Sequence, residues 1–273
     1  SNLVNKPDKI ELKGWRNVLA HLAVYLIALG GALPAIVSLI FSFRKTSGPV
    51  FQPGFGLESY QRIAATLTLP VVNSLLYSLA AVALIVVLGT LIGAYVARRR
   101  SAPAALLDSA LMIPYVMPGI VIGVAFIAAF NTPPLPLTGT ALIIVLSIFI
   151  RRLPYAVRSS AAALKQVGPS MEEAAVSLGL SPAQAFRQVT LPFIAPGVIA
   201  GAMLSFVTAI NELSSSLVLY TGATKTMPVQ IYLTINDGDY GVAAALSTIL
   251  LAISALAIFV AFRLLGRDER ALM

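Results

Sequence analysis

The sequence predicts an all-α integral membrane protein: six transmembrane helices, with a further short helix on the loop between the fourth and fifth. Three observations predict it. Of 273 residues, 58% are hydrophobic and only 11% charged, against about 25% charged in a soluble domain, so there are too few charges to wet a globular surface of this size. Six stretches without formal charge reach or approach the roughly 20 residues that cross a bilayer core: 17–43, 63–97, 109–130, 131–150, 188–211 and 240–262. The basic residues fall mainly on one side of those stretches. A soluble enzyme is excluded on composition. With no cysteine and one histidine, His21, disulfides, thiolate metal sites and multi-histidine metal sites are excluded too. His21 lies in an apolar run and reads as interfacial or packed.

Helices are expected at 18–43, 70–97, 105–130, 138–164, 194–219 and 240–265. Residues 1–17 are a short segment before the bundle of 18–265, and 266–273 a tail. Within the segment, 9–17 is partly amphipathic, with Trp15 as an interface anchor. The first apolar run is too long for a secretory signal and lacks a cleavage site. Pro70 suits the first turn of the second helix, where its missing N–H costs nothing. Pro114 and Pro118 should kink the third. The fourth is short: residues 137–150 span only about 21 Å at 1.5 Å per residue. It must continue through Arg151 and Arg152, whose side chains would snorkel to headgroups, or else form a re-entrant segment. Gly89/Gly93, Gly119/Gly123 and Gly197/Gly201 are small-xxx-small steps, read as packing within the chain rather than as a dimer face.

With the N-terminus in the cytoplasm, 15 of the 19 Lys and Arg residues lie in inside segments; Arg44, Lys45, Arg62 and Lys225 lie outside. This positive-inside asymmetry accounts for the net charge of +8 without nucleic acid as a partner; lipid is the partner implied. Residues 44–69 are expected as the longest outside loop and 165–193 as the longest inside one.

The inside loop reads Gly168 to Pro192, GPSMEEAAVSLGLSPAQAFRQVTLP. Ser170 and Glu173 have the spacing of a capping box. Met171, Ala174, Ala175 and Leu178 follow at helical spacing as one apolar stripe, and Gly179 can take the left-handed cap. Ser181-Pro182 restarts a helix with Gln184 completing a second box, and Pro192 should end it. A small helix with alanines on its face and an acidic first turn suits docking to a partner. The alternative is a helix lying in the headgroups. A DNA-reading helix-turn-helix is disfavoured by the tether to spans at both ends and by Arg187 as the second helix's one basic contact.

Glu173-Ala174-Ala175, three residues, Gly179, nine residues, then Val189-x-Leu191-Pro192 resembles the EAA signature of binding-protein-dependent ABC importer permeases, with Val189 where isoleucine is usual. The likeness covers roughly residues 60–265. It implies that the loop is a coupling helix seated in a cytoplasmic ATPase dimer, with Glu172, Glu173, Ala174, Ala175, Leu178 and Gly179 as coupling residues and Pro192 as the return into the membrane. It further implies a second permease domain and an extracytoplasmic solute-binding protein, in the inner membrane of a prokaryote with both termini cytoplasmic. No lysine here is preceded by glycine, so the chain has no phosphate loop of the G-x-x-x-x-G-K-[ST] type. It would carry no cofactor and no catalytic or metal residues, and ATP-Mg would belong to the partner ATPase.

Glu212 is a carboxylate inside an apolar run, by default a functional group. Asn211, Ser214 and Ser215 join it as candidate path residues. If the helix ended earlier, Glu212 would instead sit at the water interface, pairing Lys225 or capping a neighbour. Asp108 reads as interfacial, and Asp237 and Asp239 as a turn or a contact for the binding protein. The stretch from Asn211 to Tyr220, with Asp237-Gly-Asp-Tyr-Gly, resembles ferric-iron importer permeases in particular. Polyamine, phosphonate, thiamine and sugar-phosphate permeases share the same core. Many ferric permeases carry two such cores; one here implies pairing with itself or a sister chain, or a half of a longer protein. An ion-coupled secondary transporter would show several buried ionisable groups, where only Glu212 is evident.

Overall fold

The computed structural model describes residues 14–99, 101–167 and 170–271, with side chains to residue 263. The amphipathic character expected for residues 9–13 and the side chains of the tail lie outside the described residues. Among the described residues, the regular structure is helical except for one hairpin. Helix α1 is Trp15–Ser42, followed by strands β1 (Arg44–Ser47) and β2 (Val50–Phe55). Next come α2 (Glu58–Thr66), α3 (Thr68–Arg98), α4 (Ala102–Val116), α5 (Gly119–Phe130) and α6 (Ala141–Val167). The loop holds α7 (Ser170–Ser177) and α8 (Pro182–Ala185); a π turn, Phe186–Thr190, leads into α9 (Leu191–Ile210). The chain ends with α10 (Ser216–Leu219), α11 (Met227–Asn236) and α12 (Tyr240–Ala271).

Among the described residues, four helices are long and apolar enough to cross a membrane: α1, α3, the run Pro182–Ile210, and Tyr240–Arg263 of α12; the bent pair α4 and α5, taken as one span, makes a fifth. The expected kink in the third span is a break of 107°: Pro114 and Pro118 remove two helical N–H donors, and Met117 is extended at φ −66°, ψ 141°. The helix expected as the fourth span is α6, continuous through Arg151, Arg152 and Pro154, but it is not among those apolar enough to cross a membrane by length and composition, so five rather than six spans meet that measure among the described residues. It is the centre of the bundle, with Ile143, Ile144, Ser147, Ile148, Ala156 and Val157 buried. Because its neighbours are protein, it does not need the apolar surface of a lipid-facing helix.

The small residues pack within the chain, as expected. A Cβ at Gly89 would meet Ala156 Cβ at 2.7 Å, one at Gly197 would meet Ala163 Cβ at 2.6 Å, and one at Gly123 would meet Val218 Cβ at 3.0 Å. Thus α3 and α9 both lie close against α6. Helix α1, by contrast, has only Ser42 buried. His21 is exposed there and bonds Asn17 O at 2.8 Å.

One expectation, the end of the fifth helix, fails here, and two segments outside the spans take structure that the sequence did not predict. The outside loop 44–69 folds as the β1–β2 hairpin, turned at Gly48 (φ +58°), plus α2. An isolated hairpin is marginal; this one rests on the bundle, with Phe51 against Phe41 at 4.7 Å between ring centroids. The fifth helix ends at Ile210 rather than 219, since Asn211, Glu212 and three serines favour side-chain bonding to the local backbone over helix. The segment after it folds back into the bundle: Met227 and Val229 are fully buried. The Met227 N–H donates to Ser74 Oγ at 2.6 Å, and Asn73 Nδ2 donates to the carbonyls of Ala223 and Lys225 at 3.0 and 2.9 Å. Irregular backbone at membrane depth is stable where protein satisfies it in this way.

Candidate coupling loop and buried charge cluster

The loop between α6 and α9 is built by local rules. Gly179 adopts φ +97°, the Leu180 N–H donates to Ala175 O at 3.2 Å, and the Gly179 N–H donates to Val176 O at 3.0 Å. That is the Schellman pattern, and it stops α7. Ser181 and Gln184 form the predicted capping box, with bonds of 2.9 and 3.3 Å. Ser170 is the first helical residue rather than a cap, and no Ser170–Glu173 bond occurs among the described hydrogen bonds. Pro192 does not end the helix. The π turn at Phe186–Thr190 widens the ladder to i→i+5, and Pro192 sits in the first turn of α9, where it forfeits no required donor.

The apolar stripe divides. Ala175 is buried and Leu178 is 87% exposed, because Leu178 falls past the helix end. Met171, Glu173, Ala174, Val176, Ser177 and Gly179 are also exposed, so the loop helix faces outward everywhere from 171 to 179 except at Glu172 and Ala175. Glu172 turns inward. Its Oε1 accepts from Arg98 Nη1 at 2.6 Å, and its Oε2 accepts from Arg98 Nη2 and from the Thr190 hydroxyl. The Arg98 guanidinium lies 5.6 Å from the Phe186 ring centroid. Bidentate hydrogen bonding from Arg98, with Thr190 helping, holds the Glu172 carboxyl below the usual carboxylate range against the opposing effect of burial. One carboxylate thus pins the loop helix to the end of α3 and to the π turn. Beside the loop helix lies a cleft of about 650 Å³ lined by Ala97, Arg98, Leu164, Lys165, Glu172, Glu173, Val176 and Ser177.

The second site is in the bundle. Glu212 is 3% exposed. Its Oε1 accepts from the Ser215 N–H at 3.0 Å and the Ser215 hydroxyl at 3.3 Å. Its Oε2 lies 2.6 Å from Arg151 Nη1, and Arg152 Nη2 donates to the same oxygen. Arg151 and Arg152 therefore do not snorkel, and Glu212 does not pair Lys225. Two guanidiniums from mid-α6 converge on one carboxylate at the break after α9. Arg151 stands about 15 Å along α6 from its first residue, at 1.5 Å per residue. The second break enters the same place: a Cβ on Gly119, at the start of α5, would lie 2.8 Å from Arg151 Nη1.

Of the four candidate path residues, the structure brings Glu212 and Ser215 together. Asn211 and Ser214 are exposed, and Asn211 Nδ2 donates to Val207 O and Ser254 Oγ at 2.8 and 3.2 Å. Arg151 and Arg152 were missed as site residues. The available signal was charge balance, since an intramembrane carboxylate requires a partner and these are the ionisable groups deepest in a neighbouring span. Asp108 pairs Arg158 of α6 at 3.1 Å, and Asp239 pairs Arg62 at 2.6 Å. Asp237 follows α11 in a turn closed by Gly238.

Comparison with known proteins agrees with this architecture. The chain is 33% identical to the Ferric transport system permease protein FbpB of Actinobacillus pleuropneumoniae over 73% of its length, but spans only 29% of that protein. It is 30% identical to the Molybdenum transport system permease protein ModB of Mycobacterium tuberculosis, over 83% of this chain and 90% of that one. A chain of the bacterial alginate ABC transporter, solved in complex with an alginate pentasaccharide-bound periplasmic protein, aligns with TM-score 0.68 at 15% identity, over 93% of this chain and 97% of that. The model of the family "binding-protein-dependent transport system inner membrane component" matches residues 86–271, and the chain belongs to that family.

Proposed function

We propose that this chain is the transmembrane subunit of an ATP-driven importer, passing ferric iron from an extracytoplasmic solute-binding protein to the cytoplasm. The observation that carries the reading is the loop: a capped helix, pinned from behind by Arg98–Glu172, that presents Glu173, Ala174, Leu178 and Gly179 outward next to an open cleft. A partner ATPase dimer binds and hydrolyses ATP-Mg, grips that face and moves α6 and α9 together. A second permease domain, a copy or a sister chain, completes the path, and both termini are cytoplasmic. The FbpB relative and the Glu212-Leu-Ser sequence support ferric iron as the solute. The periplasmic protein in the alginate complex supports delivery by a binding protein.

Glu173→Lys and Gly179→Pro test the loop. The first reverses charge on the outward face; the second forces φ near −65° where the backbone needs a positive value. Each is expected to cut ATPase co-purification and transport by about tenfold or more, equivalent to one 1.4 kcal/mol step in docking, with membrane insertion intact. Wild-type stoichiometry of bound ATPase together with continued transport in both variants would refute the docking role.

A further inference from the structure

We propose that the solute passes the Arg151–Arg152–Glu212 cluster as an anion, or inside a complex that presents anionic oxygen. The inference rests on the importer reading and adds the charge of what is carried. The cluster holds two guanidiniums and one carboxylate, so it is one negative charge short. Its acceptors are also exhausted: both Glu212 oxygens are occupied, yet Arg151 Nε and Arg152 Nε are buried without a hydrogen-bond partner among the described residues. Arg151 Nη1, although near Glu212 Oε2, is not aligned for a hydrogen bond. The uncapped N-terminus of α5, against Arg151, adds a further partial positive charge.

Nothing nearby in the described residues supplies the missing charge. Asp108, Glu172 and Asp239 are committed to Arg158, Arg98 and Arg62, Glu58 faces Lys45, and Glu173 and Asp237 are exposed at the two ends. A buried guanidinium with unmet donors is costly, and the deficit matches one anionic group. Its place also fits a path. It lies where two interrupted helices meet, with Glu212 between the exposed Asn211 and Ser214 in the chain, and unwound backbone at membrane depth is found where it lines a passage or is buried in protein. A bare ferric ion would be repelled here; ferric iron would cross in a complex whose ligands leave it negative.

The test is ATP-dependent uptake by the chain reconstituted in liposomes with its co-purifying ATPase and binding protein. Labelled sulfate, molybdate, ferric iron in excess citrate, and spermidine are offered separately. The expected result is uptake of an anionic probe and none of spermidine; sulfate or molybdate points to a free oxyanion, ferric citrate to a chelate. Arg151→Gln, which makes the cluster neutral, is expected to slow that uptake by about tenfold, and Arg151→Lys to restore most of it. Arg158→Gln, which removes a cation outside the cluster, should keep it near wild type. Uptake of spermidine, uptake of no anionic probe by an ATP-hydrolysing complex, or wild-type uptake by Arg151→Gln would overturn the inference and leave the importer reading standing. A chain that recruits no ATPase would instead fail the importer reading. If Arg151→Gln does not assemble, the wild-type probe comparison still decides.

Discussion

Glu212 shows how one side chain can decide the tolerance of its surroundings. Its carboxylate makes two buried guanidiniums acceptable, so Glu212→Gln leaves both uncompensated. Removing one partner of a buried ion pair costs about 3–5 kcal/mol. The variant is expected to show a clearly lowered thermal midpoint in detergent; a midpoint equal to the parent's would mean that the cluster is solvated. Glu172 makes a second residue-scale prediction. Its folded-state pKa lies below the ordinary 4.5, so its contribution is present above that value and is lost as pH falls through and below it. A fluorophore on the exposed position 178 (Leu178→Cys) should report a loosening loop below about pH 4.5 in the parent, whereas Arg98→Gln should be loose already at neutral pH. A pH-independent signal in both would count against the pin. The sequence revealed Glu212 because a carboxylate stands out in an apolar run. It hid the partners, since adjacent arginines at the end of a short apolar stretch read equally well as a membrane flank, and the pairing spans about 60 residues of chain.

Elements were legible where a local rule decides them and hidden where tertiary contacts do. The Ser181–Gln184 box and the Gly179 cap were readable because their atoms lie within six residues of each other. Helix α11 and the hairpin were not, because neither carries a periodic pattern strong enough to compete with a loop, and both depend on distant partners such as Asn73, Ser74 and Phe41. The glycine steps were legible as close contacts but not as to which helix they touch. Those of α3 and α9 meet α6 on two sides, and that makes overpacking a direct test. A Cβ at Gly201 would approach Ala156 Cα to 3.0 Å and Ser159 Cβ to 2.9 Å, both on a helix that cannot yield without moving Arg151 and Arg152. Gly201→Val is expected to cost about 1–3 kcal/mol, read as a lower thermal midpoint; an unchanged midpoint would show that α9 can slide on α6.

At the scale of the whole molecule, the unifying relation is that α6 and α9 are joined twice, by the loop at one end and by the Arg–Glu cluster within the bundle. They also pack along the length between, where Ser159 Oγ donates to Gly197 O at 2.5 Å. A push on the loop helix therefore reaches the unwound segment after Ile210 through a braced pair rather than a single rod. The direction of that push depends on which compartment the loop faces. Arg151 and Arg152 no longer count as membrane flanks, yet with the N-terminus taken as cytoplasmic 13 of the remaining 17 basic residues still fall in segments that the sequence assigns to the loop side, so the expected charge asymmetry keeps its sign. The absence of cysteine makes the test clean. Leu178→Cys, at the exposed loop tip, should react with a membrane-impermeant maleimide only after cells are opened. Val50→Cys, 57% exposed in the hairpin, should react in intact spheroplasts. Leu178→Cys labelling in intact cells would put the loop out of reach of any nucleotide-hydrolysing partner inside, and the importer mechanism would fall with it.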